Sequence, residues 1–155
     1  MTKELLTKTH SMAVLDRFPL NDEFRRQADR FGELLQSAKH ILISSTVTSD
    51  GDSVGAQLGI LNLINCMRRS SPVRVTIINE SPVPHRYAFL ENANLVISWS
   101  DWTSKKQATD FDLGIVLDGG TERTGSPREL FENLPTVLVD HHAVGSSLVY
   151  ASKLL

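Results

Sequence analysis

Three short stretches of this sequence gather side chains able to bind a cation or move a proton: Asp50-Gly51-Asp52, Asp118, and Asp140-His141-His142. Two aspartates separated by a glycine can bend toward one point in a loop, and oxygen ligands of this kind suit hard cations such as Mn²⁺ or Mg²⁺. The same tripeptide also fits a turn and a helix start, with Asp52 or Ser53 as the cap. Asp118 follows an all-aliphatic run and precedes Gly119-Gly120, which fits either a ligand at a strand end or a plain turn. Adjacent histidines after a carboxylate are poor strand formers and good ligands for metal or phosphate; a polar turn is the other reading. Taken together, several carboxylates and a histidine have the composition of a two-metal phosphoryl-transfer centre, in which the ions activate a water and hold the attacking and leaving oxygens.

Further residues could serve a phosphate. Arg123 lies just past Asp118 and could grip the group through its planar fork, or be a surface charge. Ser53-Val54-Gly55 opens a helix, so its backbone N–H groups could favour an anion. His10, His40 and His85 read as structural or surface residues. No glycine-rich dinucleotide fingerprint or P-loop follows the first strand, which weakens a generic nucleotide-binding reading.

The elements that must position these residues alternate along the chain. Residues 40–46, 73–78, 95–99, 112–117 and 135–139 are short apolar runs that read as buried strands. A helix starts at Asn21, capped by Asn21 or Asp22, with Phe24, Ala28, Phe31, Leu35 and Ala38 on one stripe. A second covers residues 53–69, with Val54, Leu58, Leu61, Ile64 and Cys66 or Met67 on its apolar side, and Arg68 and Arg69 facing its C-terminal dipole. Residues 85–90 read as a helical turn or two, 101–109 as a short helix or loop, and 126–133 as a short helix with Pro127 in its first turn. The pattern predicts an α/β fold: a parallel, doubly wound sheet of about five strands with helices on both faces. All three chemical clusters then sit at carboxyl ends of strands, where such sheets bind ligands.

The 155 residues suffice for one domain, read as an arm over residues 1–20 and an α/β domain over 21–155. Sixteen basic against eighteen acidic residues give a net charge of −2, which argues against non-specific binding to nucleic acid or anionic membranes. The single cysteine, Cys66, excludes an intrachain disulfide and a Cys-rich zinc site and reads as a small core residue. No apolar span or signal peptide is visible, so no membrane partner and a cytoplasmic location are expected.

These residues resemble the DHH-family phosphoesterases, in particular the oligoribonuclease and phosphoadenosine-phosphate phosphatase branch. ILISSTVTSDGDSVG over residues 41–55 looks like the first motif, and NESPVPHRYAFL over 79–90 like the segment after the second strand. Leu117-Asp118, with Arg123-Thr124-Gly125 following, is similar to the second motif, and Val139-Asp140-His141-His142 to the name-giving third. The resemblance implies a pair of Mn²⁺ ions, with Mg²⁺ as a substitute. Asp50 would bind one, Asp52 and His141 the other, and Asp118 would bridge. His142 would help hold substrate or leaving group, and Asp140 would support the cluster. The implied reaction is hydrolysis of phosphoester bonds in short oligonucleotides or phosphorylated nucleotides by metal-bound water.

Two departures follow from the same comparison. Thr46 stands where the family's first motif has a metal-binding histidine, and Thr48-Ser49 where it has asparagine-proline, so weakened metal binding is expected. The family's last metal-binding aspartate and its C-terminal substrate-binding domain have no candidate in residues 143–155. The resemblance therefore leaves two functional classes open. One is a phosphoesterase completed by a C-terminal domain or a homo-oligomeric partner. The other is a degenerate, truncated relative acting as a non-catalytic binding or regulatory module.

Overall fold

The structure is a computed structural model and describes residues 22–105 and 110–142. Its elements run α1 (Asp22–Ser37), β1 (His40–Ser45), α2 (Gly51–Met67), β2 (Arg74–Asn79), β3 (Val96–Ser98), α3 (Trp99–Ser104), β4 (Leu113–Leu117) and β5 (Thr136–Val139). Short 3₁₀ turns lie at His85–Tyr87, Ala93–Leu95, Thr121–Arg123 and Ser126–Phe131. The predicted arm, His10, the Asn21 cap, part of the 101–109 segment and the tail after His142 lie outside the described residues.

The five strands form one all-parallel sheet in the order β3-β2-β1-β4-β5. The expected α/β class is what the chain adopts. Apolar runs such as Ile41-Leu42-Ile43 and Ile115-Val116-Leu117 are buried on both sides, because helices cover both faces and neither set of side chains reaches water. On one face Leu42, Ile78 and Val116 form a core with Trp102 of α3 and Phe131. On the other, Asn79 exchanges hydrogen bonds of 2.7 and 3.1 Å with Gln57 of α2, which places that helix there. Each fully buried aliphatic side chain contributes about 1.5–3 kcal/mol. Of the four connections, β1 to β2 and β2 to β3 step outward one way, β3 to β4 crosses back over the sheet and β4 to β5 goes the other way, so the order reverses between β1 and β4. In open sheets that reversal leaves a crevice at the carboxyl ends.

The chain divides within α1 into two units, residues 1–32 and 33–155. In the first, Glu23 accepts from Arg26 at 2.6 Å and from Gln27 at 2.9 Å, along the helix surface. The predicted stripe on this helix is only partly a core face: Leu35 and Ala38 are buried, whereas Phe24 and Ala28 are exposed. In the second unit, Arg68 differs from expectation. Its guanidinium donates to the carbonyls of Leu35 (2.9 Å), Gln36 and Ala38 (3.1 Å). It therefore satisfies orphan carbonyls at the end of α1 rather than those of its own helix. Cys66 is exposed, not a core residue. It follows Ile64 by two positions, about 200° round the helix from that buried side chain. Among the described residues, no helix is long and apolar enough to cross a membrane.

Candidate functional site

The loop after β1 is shaped by one carboxylate. Asp50 is the N-cap of α2, its Oδ1 accepting from the amides of Asp52 (2.9 Å) and Ser53 (3.0 Å). The helix thus begins two residues earlier than predicted, and the cap is Asp50 rather than Asp52 or Ser53. The Ser53 amide, against the opposing effect of burial, and then the Asp52 amide, the Ser53 hydroxyl and the Arg86 charge hold the Asp50 carboxyl below its ordinary range. Capping leaves Asp52 exposed on the first turn of α2. Ser49 fixes the loop from beneath: its hydroxyl donates to Thr46 O at 3.2 Å and accepts from Asn79 Nδ2 at 3.3 Å.

Asp118 follows β4 on the far side of the crevice. Its N–H reaches Val139 O at 2.9 Å, and its φ of 61° is left-handed, a conformation uncommon outside glycine and tolerated best by Asn and Asp. The turn delivers its carboxylate to the start of α2, where Oδ2 accepts the Ser53 hydroxyl at 2.5 Å. Gly119 follows with φ 152°, and a Cβ there would lie 2.9 Å from the methyl of Thr46. Thr46 is therefore a closely packed wall of the crevice and is buried.

The residues after β5 complete the cluster. His141 Nε2 lies 3.2 Å from Asp52 Oδ2 and 3.5 Å from Asp118 Oδ1. His142 Nδ1 lies 2.5 Å from Asp140 Oδ1 and 3.9 Å from Asp118 Oδ1. Burial pushes the Asp140 carboxyl up, but the hydrogen bonds from the His142 side chain and backbone, with its charge, leave it below its ordinary range. Ligand atoms of Asp118, His141 and His142 all fall within 4.8 Å of one another.

Donors about 2.1 Å from a cation, in tetrahedral or octahedral arrangement, lie about 3.0–3.4 Å apart. The Asp52–His141 and Asp118–His141 separations fit that spacing. The His142–Asp140 separation is instead that of a direct hydrogen bond, which holds the ring. Asp52, Asp118, His141, His142 and Asp140 are thus brought together from three strand ends.

The remaining predicted residues sit at the margin. Asp50 is adjacent but caps the helix. Ser53 is fully buried, with its N–H directed to Asp50 and its O–H to Asp118. Gly55 is exposed with open space beside it. Arg123 is exposed; its carbonyl accepts from Val47 N at 2.8 Å, and its alkyl stem runs past Gly119. His40 is buried and bonded to Asp110 and Thr76, each at 2.9 Å. It has a structural place, as expected.

Sequence reasoning assigned no role to two neighbours of the cluster. The Arg86 guanidinium lies 4.9 Å over the Tyr87 ring, and that ring would be 3.3 Å from a Cβ at Gly51. Pro82 and Pro84 lead into this 3₁₀ segment, with Pro84 as its N-cap. That pair of prolines was the available signal.

The fold and the cluster define an open parallel α/β domain with a polar site at its topological switch point. In a comparison of structures, the chain is similar to the crystal structure of an exopolyphosphatase-related protein from Bacteroides fragilis, with a TM-score of 0.66 and 20% identity. The match covers 77% of this chain and 35% of that one, so this chain spans about a third of that protein's length. The likeness is one of fold. No protein-family model matches the sequence, and no curated protein matches it.

Proposed function

We propose that this chain is the α/β domain of a phosphoesterase-type hydrolase, which binds Mn²⁺ (or Mg²⁺) and cleaves phosphoester bonds of phosphorylated nucleotides or short oligonucleotides. The observation that carries the reading is the convergence of Asp52, Asp118 and His141, at 3.2 and 3.5 Å, on the switch point of the sheet. A bound divalent ion supplies a water of lowered pKa and neutralises phosphate charge. In this reading Asp52, Asp118 and His141 hold the ion, while Asp50 is given over to the cap. Asp140 takes the Nδ1 side of His142, which leaves Nε2 to exchange a proton with the leaving oxygen. Arg123 closes on a phosphate oxygen through its fork. The C-terminal side of the substrate cleft comes from a further domain or a second copy.

The experiment is Mn²⁺-dependent hydrolysis of a dinucleotide and of a 3′,5′-bisphosphorylated nucleoside, compared with Asp118→Asn and His141→Ala. Turnover by the native chain that falls at least a hundredfold in both variants is expected. Turnover that survives in both would remove the site. A second reading, a binding module without turnover, draws on Thr46, a buried neutral residue where the resemblance places an imidazole. Its signature is saturable nucleotide binding with no hydrolysis.

A further inference from the structure

We infer that this centre holds one tightly bound divalent cation rather than two, and that the Ser53 hydroxyl sets the count by taking one oxygen of Asp118. The inference rests on the metal-binding reading above and sharpens it. Ser53 is fully buried at the first turn of α2, and its Oγ lies 2.5 Å from Asp118 Oδ2 and 3.3 Å from Asp50 Oδ1. A hydroxyl has one proton to give, and the shorter contact takes it. Asp118 therefore presents Oδ1 to the crevice, 3.5 Å from His141 Nε2, with Oδ2 turned into the protein.

Counting the other donors gives the same answer. Asp50 Oδ1 accepts two amides of the helix start, and Asp140 Oδ1 is engaged by the ring and the amide of His142. Thr46 is buried and pressed toward Gly119, and its neutral hydroxyl is a weak ligand. The two separations that match a shared ion both run through a single atom, His141 Nε2. A second ion, roughly 3.5–4 Å from the first in two-metal sites, would need its own donor set. The described residues leave it chiefly the outer oxygens of Asp50 and Asp52, because the His142 nitrogen that faces Asp118, Nδ1, is held by Asp140 Oδ1 at 2.5 Å. A carboxylate bridging through both oxygens would need Asp118 Oδ2, which Ser53 covers.

The test is calorimetric titration of the full chain with Mn²⁺, read alongside the electron paramagnetic resonance spectrum of the bound ion. One ion per chain with the hyperfine pattern of an isolated Mn²⁺ is the expected result. Two ions of comparable affinity, or an exchange-coupled pair, would overturn the inference and leave the proposed phosphoesterase reading standing. No binding at all would remove the metal from both. In Ser53→Ala, shown folded by circular dichroism, Asp118 Oδ2 is uncovered. Stoichiometry should then rise toward two at millimolar Mn²⁺, with exchange broadening of the signal. A folded Ser53→Ala that keeps one ion and the native spectrum would show that Ser53 does not set the count.

Discussion

Asp50 shows how one residue can satisfy two demands that point in different directions. As a member of Asp50-Gly51-Asp52 it reads as a metal ligand, yet its Oδ1 accepts both amides at the start of α2. Two substitutions separate the roles. Asp50→Ala removes the cap and should cost about 1 kcal/mol in chemical denaturation, within the usual range of about 0.5–2. Asp50→Asn caps about as well, and should leave both stability and the Mn²⁺ dissociation constant within about threefold of native. A tenfold weaker Mn²⁺ affinity in that variant would restore Asp50 as a ligand. Sequence placed this carboxylate in the right loop, because two aspartates separated by a glycine after a strand fit a turn or a cation site. It could not say which oxygen faces where. The Ser53–Asp118 bond spans 65 residues and has no local signature at all.

Among the elements, the strands were the most legible, since continuous aliphatic runs have few other readings in a chain of this composition. The helical segments were less so. Residues 126–133 form a 3₁₀ stretch over Ser126–Phe131, and the stripe on α1 is half exposed, because periodicity reports amphipathicity and not what lies opposite. Strand order was not legible, as every right-handed crossover fits several neighbours. The opposite rim of the sheet carries a device that only the fold reveals. Asp110 pairs with Arg74 and with His40 of β1, tying the entries of β1 and β2 together. The hydrogen bond from Arg74, followed by that from His40, lowers the Asp110 carboxyl from 3.8 to about 2. A depressed carboxylate adds stability above its unfolded pKa and loses it as pH falls through the folded one. Asp110→Asn should therefore lower the melting temperature at pH 7, with the difference shrinking between about pH 4 and 2. A gap unchanged at pH 2 would contradict the ion-pair account.

At the scale of the whole molecule, the site is an agreement among segments far apart in sequence: α2 and the β1 loop, the turn after β4, and the residues after β5. A ligand that bridges them must stabilise the fold by mass action. If the proposed ion is Mn²⁺, then at a hundred times its dissociation constant the gain would be about 2.7 kcal/mol, or on the order of 5–10 °C in a chain of this length. A chelator should reverse it, and His141→Ala should abolish it. A shift that persists in His141→Ala would place the ion elsewhere.

The position of β5 gives this a further consequence. Among the described residues it is a four-residue edge strand, hydrogen-bonded to β4 alone, yet the two histidines hang from its end. Edge segments of this kind open locally at a small fraction of the global unfolding energy. An ion gripped by Asp118 and His141 would act as a rivet between β4 and its outermost neighbour. Amide protons of β5 should then exchange with solvent markedly more slowly once metal is bound, while those of β1, already shut inside the sheet, keep their native rates.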